Sequence, residues 1–352
     1  MFTALLIILC CSSSVALATD GSNNSPETAL SITPVQTVNT SIDYQGDEDW
    51  FVVTVDHTCS IVSTITNNSG NINYGLYDSG LNKLSGNLFN TTSGKHSWKV
   101  TPGTYYIAIN EYSSVNYSTS NISLTVNLRE QDAYEDNDQT VNAVAITPGQ
   151  TLNGIAVEAR NDNDWFAVTV DHTCSIVSAI TNSSGYIDYG IYDSNQVQLS
   201  AITTNSGTFT HGWKVSPGTY YIKINEWSGV RSVNYLTSTI NLTVQLREED
   251  AYENNDALSN AYQLTPGQTL SNIAIEARND YDWYKITVDH TCSIVSTITH
   301  SSGYIDYGIY DSNQVKLSSA TYSNGTHTLR WDISPGTYYI KINEYSGVRA
   351  VN

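Results

Sequence analysis

The sequence predicts an all-β protein, a tandem array of three antiparallel β-sandwiches of jelly-roll type in which the third lacks its last strand. Three observations carry that expectation. The series DWFVVTVDHTCSIVSTIT (49–66), DWFAVTVDHTCSIVSAIT (164–181) and DWYKITVDHTCSIVSTIT (282–299) recurs about every 115 residues, a period of one small domain per copy rather than one solenoid turn. Short stretches of period-two apolar alternation fill each copy, and no helical period is sustained. A second shared stretch follows in each copy, GTYYIAINE from Gly103 and GTYYIKINE from Gly218 and Gly336.

Taken in order, residues 1–18 read as a secretory signal. Phe2 to Cys11 is an apolar run too short to cross a bilayer, and Ala16-Leu17-Ala18 gives a small-x-small cleavage pattern, although no basic residue precedes the run. The three copies then occupy residues 19–128, 129–246 and 247–352. Each is long enough to close a core without staples. In the second copy, strands are expected near Thr151 to Val157, Trp165 to Val170, Cys174 to Thr181, Tyr186 to Tyr192, Val197 to Ile202, Thr208 to Val215, Thr219 to Glu226 and Tyr235 to Leu246. Pro148-Gly149, Asn182 to Gly185, Asp193 to Asn195 and Pro217-Gly218 separate them as turns. Gln139 to Ala145 is the one stretch suited to a helical turn.

Lysine decides which face is which. Lys285 in the third copy shares a strand face with Trp283, and lysine is rarely buried. Phe166, Val168 and Val170 should therefore point inward, as should Tyr220, Ile222 and Ile224 and the set Phe209, Trp213 and Val215. Trp165 and Tyr221 fall on the outer face, and Trp227 lies in a loop. These three are candidates for stacking on a sugar ring or a peptide side chain, against the plainer role of covering a neighbouring loop or strand edge.

Acidic residues outnumber basic ones 34 to 15, for a formal net charge of -19. That field repels phosphate backbones and argues against nucleic acid as a partner. No later segment reaches ~18 consecutive apolar residues, so no membrane span is expected. With so few charges, the polar surface must come from Ser, Thr, Asn and Tyr, which suits an exported glycoprotein. Asn-x-Ser/Thr acceptors stand at Asn23, Asn39, Asn67, Asn90, Asn116, Asn121, Asn182, Asn241 and Asn324. Beyond the signal, Cys59, Cys174 and Cys292 occur once per copy, so no disulfide can form within a domain. Alternation places Cys59 on the side of Ile61 and Ile65, which reads as a buried thiol.

No catalytic residue is expected. H-E-x-x-H, G-x-S-x-G and Walker-type runs are absent from the sequence. The one chemically suggestive cluster is Asp56-His57 with Cys59, echoed at Asp171-His172 with Cys174 and at Asp289-His290 with Cys292. It offers a thiol beside a base or a soft-metal site. A turn that caps the hairpin is the preferred reading, because the thiol faces the core.

The ordered pieces YEDND (134–138), DNDWF (162–166), IYD (191–193) and PGTYYI (217–222) resemble the bacterial and archaeal pre-peptidase C-terminal domain family. The match spans nearly all of each copy. The resemblance implies non-catalytic β-sandwich modules of secreted peptidases and other exported proteins, similar to the collagen-binding domains of collagenases, whose acidic N-terminal segment binds calcium. The residue types agree, since calcium takes six to eight hard oxygen ligands. Glu135, Asn137, Asp138, Asp162 and Asp164 supply them in the second copy, and Glu253, Asn255, Asp256, Asp280 and Asp282 in the third. The first copy has Gly21, Asn23 and Asn24 at the equivalent positions, and its site is expected to be empty.

Both acidic sets follow a linker, Leu128-Arg129-Glu130 or Leu246-Arg247-Glu248, so calcium would stiffen the joints. Aligning Gly336 with Gly218 maps Val351-Asn352 onto Val233-Asn234, leaving the third copy without a last strand. Either the protein continues beyond Asn352, with room for a peptidase domain, or a neighbouring chain donates the strand and the protein self-associates. The expected function is thus a secreted structural or adhesive array at the cell surface or outside the cell. The alternatives are an accessory region of a secreted peptidase, a strand-donating filament subunit, and a module that binds extracellular polysaccharide or protein.

Overall fold

The computed structural model describes residues 16–17, 21–89, 93–112, 119–229 and 233–345. Nearly all of the secondary structure is strand. Apolar side chains gather in three clusters, one per sequence copy. The protein is a tandem array of antiparallel β-sandwiches.

The second unit shows the pattern. One sheet runs in the order Val144–Ala145, Asn163–Val170, Gly218–Glu226, Ile187–Tyr192 and Gln198–Thr204. The other runs Thr151–Ile155, Ile240–Arg247, Cys174–Asn182 and Gly207–Val215. Apart from the short parallel Val144–Ala145 pair, every ladder is antiparallel. Alternation selects the inner faces as expected: Phe166, Val168, Ile222 and Ile224 are fully buried, while Tyr220, Phe209 and Trp213 pack partly buried against them. The first unit repeats this arrangement.

Three sequence expectations need correction. The last strand of the second unit begins at Ile240 rather than Tyr235, because Thr237 and Ser238 donate their N–H groups to the Asn234 carbonyl at 2.9 and 2.8 Å and close a turn. Tyr235 is buried in that turn and donates its hydroxyl to Glu226 at 2.7 Å. The helical turn is confined to Thr140–Asn142. Trp165 is not an exposed platform. It is 8 % exposed, with the rings of Tyr192 and Tyr221 at 5.1 and 6.2 Å and the Lys223 ammonium 5.4 Å from its ring.

The thiols of Cys59 and Cys174 are free and buried, and Cys292 is half-buried. Of the candidate glycan acceptors, Asn23, Asn67 and Asn182 are at most 2 % exposed, which closes them to a glycan in the folded state. Asn90 and Asn116 lie outside the described residues, as do the final Val351-Asn352 and most of the expected signal.

The third unit keeps one complete sheet, Tyr262–Gln263, Tyr281–Val288, Gly336–Glu344, and the paired outer halves of Cys292–Tyr310 and Lys316–Ile333. Of its second sheet, the described residues contain one ladder, between 292–300 and 325–333. Among the described residues, the segment 270–275 belongs to no ladder. Burial falls at one of two positions: Ile180 is fully buried and its counterpart Ile298 only half-buried, whereas Ile294, the counterpart of Ile176, stays at 6 % exposure.

Candidate metal centre

Each acidic loop is fixed by the strand that follows it. The N–H of Trp165 donates to the carbonyl of Asn137 at 3.0 Å, and the N–H of Trp283 to that of Asn255 at 3.0 Å. Alternation along Asn163–Val170 then turns Asp164 inward beside Asn137, and Asp162 follows from the preceding turn. Asp162 also accepts the backbone N–H of Glu158 at 2.8 Å, as Asp280 accepts that of Glu276 at 2.7 Å. The result in the second unit is a pocket of Glu135, Asn137, Glu158, Asp162 and Asp164. Asn137, Glu158 and Asp164 are fully buried.

Single oxygens of Glu135, Glu158 and Asp162 lie within 4.8 Å of one another, as do those of Glu253, Asp256 and Asp280 in the third unit. These two clusters are the ones found among the described residues. Both oxygens of Asp164, both of Glu158, and one each of Glu135, Asn137 and Asp162 have no hydrogen-bond partner. The third unit repeats this at Asp282, Glu253, Asn255 and Asp280. Unpaired buried carboxylates are costly, and neighbouring charge and burial both oppose ionisation.

Burial, followed by the charge of the neighbouring carboxylates, raises Asp164 and Asp162 well above the ordinary range. Burial likewise pushes Glu158 up to about 7, Asp280 to about 6, Asp282 to about 8 and Glu276 to about 9. Asn137 eases the charge on Asp164 without reaching hydrogen-bonding geometry. The donor set is all oxygen, carboxylate and amide. It fits a hard divalent cation of calcium's type and offers nothing to a thiophilic metal.

Asp138 stands apart from the buried cluster and serves the joint between units. In the strand Gly94–Val100, alternation points Lys95, Ser97 and Lys99 away from their own core. Lys99 reaches Glu135 at 2.5 Å and Asp138 at 2.6 Å across the boundary. Lys214 does the same to Glu253 and Asp256 at 2.6 and 2.7 Å, with Glu249 at 3.2 Å. Beside each lysine an asparagine clamps the strand edge: Asn161 accepts from the N–H of Lys99 at 2.7 Å and donates to its carbonyl at 3.2 Å. Asn279 makes the same pair with Lys214 at 2.7 and 3.1 Å. Val62 of the first unit is fully buried within the apolar cluster of the second. Each cluster therefore sits directly behind an interdomain contact.

The first unit retains Asn23, Asp47 and Asp49, all at most 2 % exposed, but has Gly21 where the others have glutamate. There the Thr40 hydroxyl donates to Asp49, a hydrogen bond that Asp164 and Asp282 lack.

Sequence reasoning missed Glu158 and Glu276, and with them Lys99 and Lys214. The repeated strings AVEARND (156–162) and AIEARND (274–280) carried the signal for the glutamates.

In the first two Asp-His-Cys turns the histidine pairs with carboxylates. His57 bonds Asp56 at 2.6 Å and Glu130 at 2.9 Å, and His172 bonds Asp171 and Glu248 at the same distances. The Cys59 and Cys174 thiols face the core instead, and burial pushes both up to about 11.

A stretch about as long as one unit resembles a pre-peptidase C-terminal domain. The chain is similar to the pre-peptidase C-terminal domain of collagenase from Bacillus anthracis, with 21 % identity and a TM-score of 0.26, covering 30 % of this chain and 99 % of that one. It is also similar to the N-terminal CBM22-1–CBM22-2 tandem domain of Xyn10C from Paenibacillus barcinonensis, with 10 % identity and a TM-score of 0.19, covering 57 % of this chain and 83 % of that one. No family model matches the sequence, and no curated protein matches it. Among the described residues of these pre-peptidase-like units, no helix is long and apolar enough to cross a membrane.

Proposed function

We propose that the protein is a secreted, non-catalytic array of β-sandwich modules with a structural or adhesive role outside the cell, its joints stiffened by calcium. The observation that carries this reading is the set of unpaired buried oxygens directly behind both interdomain contacts. A cation held by Glu135, Glu158, Asp162 and Asp164 neutralises them and fixes the loop that receives Lys99. The third unit does the same for Lys214. The first unit, with Gly21 and Thr40, takes no ion in this scheme. Extracellular modules of this kind bind calcium at ~0.1–1 mM, and at a few times the dissociation constant each site adds roughly 1 kcal/mol.

Calorimetric titration of chelator-treated protein with calcium chloride should give two sites. X-ray scattering should show a stiffer particle when they are filled. Unchanged melting temperature and solution dimensions on adding chelator would remove the calcium reading.

A second reading is favoured by one feature of the second unit. Trp227 lies tilted at 52° against Tyr186, ring centroids 5.7 Å apart, and Tyr186 is 38 % exposed. Such a ring pair suits an extracellular polysaccharide. Retention on insoluble polysaccharide that is lost in Trp227→Ala would support this role, and equal retention would dismiss it.

A further inference from the structure

In the second unit, the sheet that carries Trp165 has an outer face that is not flat. Its register sets Asp188, Gly190 and Tyr192 of one strand beside Asn225 and Lys223 of the next, with Thr203 and Ala201 on the other side. Gly190 and Ala201 contribute almost no side chain, and a cavity of about 580 Å³ opens there, walled by Tyr192, Lys223, Asp188 and Thr203. That is room for a small organic ligand. The Tyr192 ring lies along Gly190, 3.0 Å from where a Cβ would stand, and meets Trp165 edge-on at 5.1 Å.

The groups around this cavity differ in kind. Lys223 is half-buried with its ammonium 5.4 Å from the Trp165 ring, and among the described residues it forms no ion pair, unlike Lys99 and Lys214. Burial lowers its pKa and the charge of Asp188 opposes that only in part, so an anion beside the ammonium is favourable. One oxygen of Asp188 accepts the Thr203 hydroxyl at 2.7 Å, which leaves the second to a ligand. Asn225 donates its amide to the Glu226 carbonyl at 2.9 Å and keeps its own oxygen as an acceptor. The third unit repeats the set: Thr321 donates to Asp306 at 2.6 Å, Lys341 lies 5.4 Å from the Trp283 ring without an ion pair, and Gly308 lies under Tyr310. The first unit does not. Ala108 stands for the lysine and Asn73 for the aspartate, and the Lys83 side chain crosses Gly86, 2.7 Å from where a Cβ would stand.

We propose that this cavity in the second unit, and its repeat in the third, binds a hexuronate, a sugar ring bearing a carboxylate. The carboxylate lies on Lys223, the ring hydroxyls donate to Asp188 and Asn225, and the C–H face of the ring covers Tyr192. A neutral sugar leaves the ammonium uncompensated, and a bare anion leaves both acceptors without a donor, so charge and hydroxyls are needed together. The site uses neither the buried carboxylate clusters nor the Trp227–Tyr186 pair, and it stands independently of the readings built on them.

The test is titration of the full chain, followed by calorimetry and NMR, with glucuronate and galacturonate, each as the free sugar and as a short oligosaccharide. Expected is saturable binding of at least one of the four, roughly tenfold weaker for its methyl ester, which keeps the ring and loses the charge. Binding should be the same with added calcium and with chelator. The double variant Lys223→Gln, Lys341→Gln should lose it at an unchanged melting temperature. An oligosaccharide that binds more tightly than its free sugar marks a polymer as the source and equal affinity marks a free sugar acid; either supports the site. Saturation by none of the four overturns the proposal, as does equal affinity for the methyl ester, equal competition by acetate, or undiminished binding by the double variant. So does binding that requires calcium, because the metal and not the lysine then holds the carboxylate.

Discussion

Asp164 and Asp282 are the residues on which the energetics of the joint clusters turn, since neither oxygen of either carboxylate has a hydrogen-bond partner. Their pKa values are raised in the folded state, so the stability tied to these groups is complete below about pH 4 and is lost as pH climbs through the folded values. Asp280, Glu158, Asp282 and Glu276 span about 6, 7, 8 and 9. Melting in chelator should therefore fall steadily between pH 5 and pH 9, and the increment given by added calcium should grow over the same interval. Asp164→Asn removes a charge that is costly without metal and useful with it. We expect a higher melting temperature in chelator and binding at that site at least about 10-fold weaker. The thiols offer a check on packing: Cys292, half-buried, should react with a maleimide well before Cys59 or Cys174.

At the level of the element, the joint lysines dominate. The Lys214 side chain is 11 % exposed and holds Glu253 and Asp256 together. Lys214→Met leaves those carboxylates without their cation at about 2–4 kcal/mol. Limited proteolysis should then cut the linker near Glu248 earlier than in the parent protein, while the Leu128 linker keeps its rate. The strands themselves were legible from period-two alternation, because each sheet has one face on a core. The loop from Ile155 to Ala159 was not, since all five residues are buried and the pattern vanishes when both sides are covered. Glu158 was hidden there among apolar neighbours. Alternation also put Trp165 on the correct side of its sheet but carried no information about the cross-strand rings of Tyr192 and Tyr221 that cover it. The pairing of Asp138 with Lys99 was hidden because Lys99 lies in a different unit.

Across the whole molecule, the two joints share a lysine and an asparagine clamp. Lys99 with Asn161 and Lys214 with Asn279 agree to within 0.1 Å in the lengths of their paired backbone bonds. The outer face of the third unit breaks the scheme: Asp332 stands where the others have lysine, and Val295, the counterpart of buried Val62, is 60 % exposed. That face would repel a further acidic loop of the kind seen at both joints. Replacing Asn161 or Asn279 by alanine should loosen one joint each, and the maximum dimension from X-ray scattering should broaden in both variants.

The lysine pairs and the asparagine clamp recur at both boundaries, so the second unit is held at its two ends by the same kind of contact. A disturbance at the first clamp is therefore inherited by everything beyond it, whereas one at the second is felt by the third unit alone.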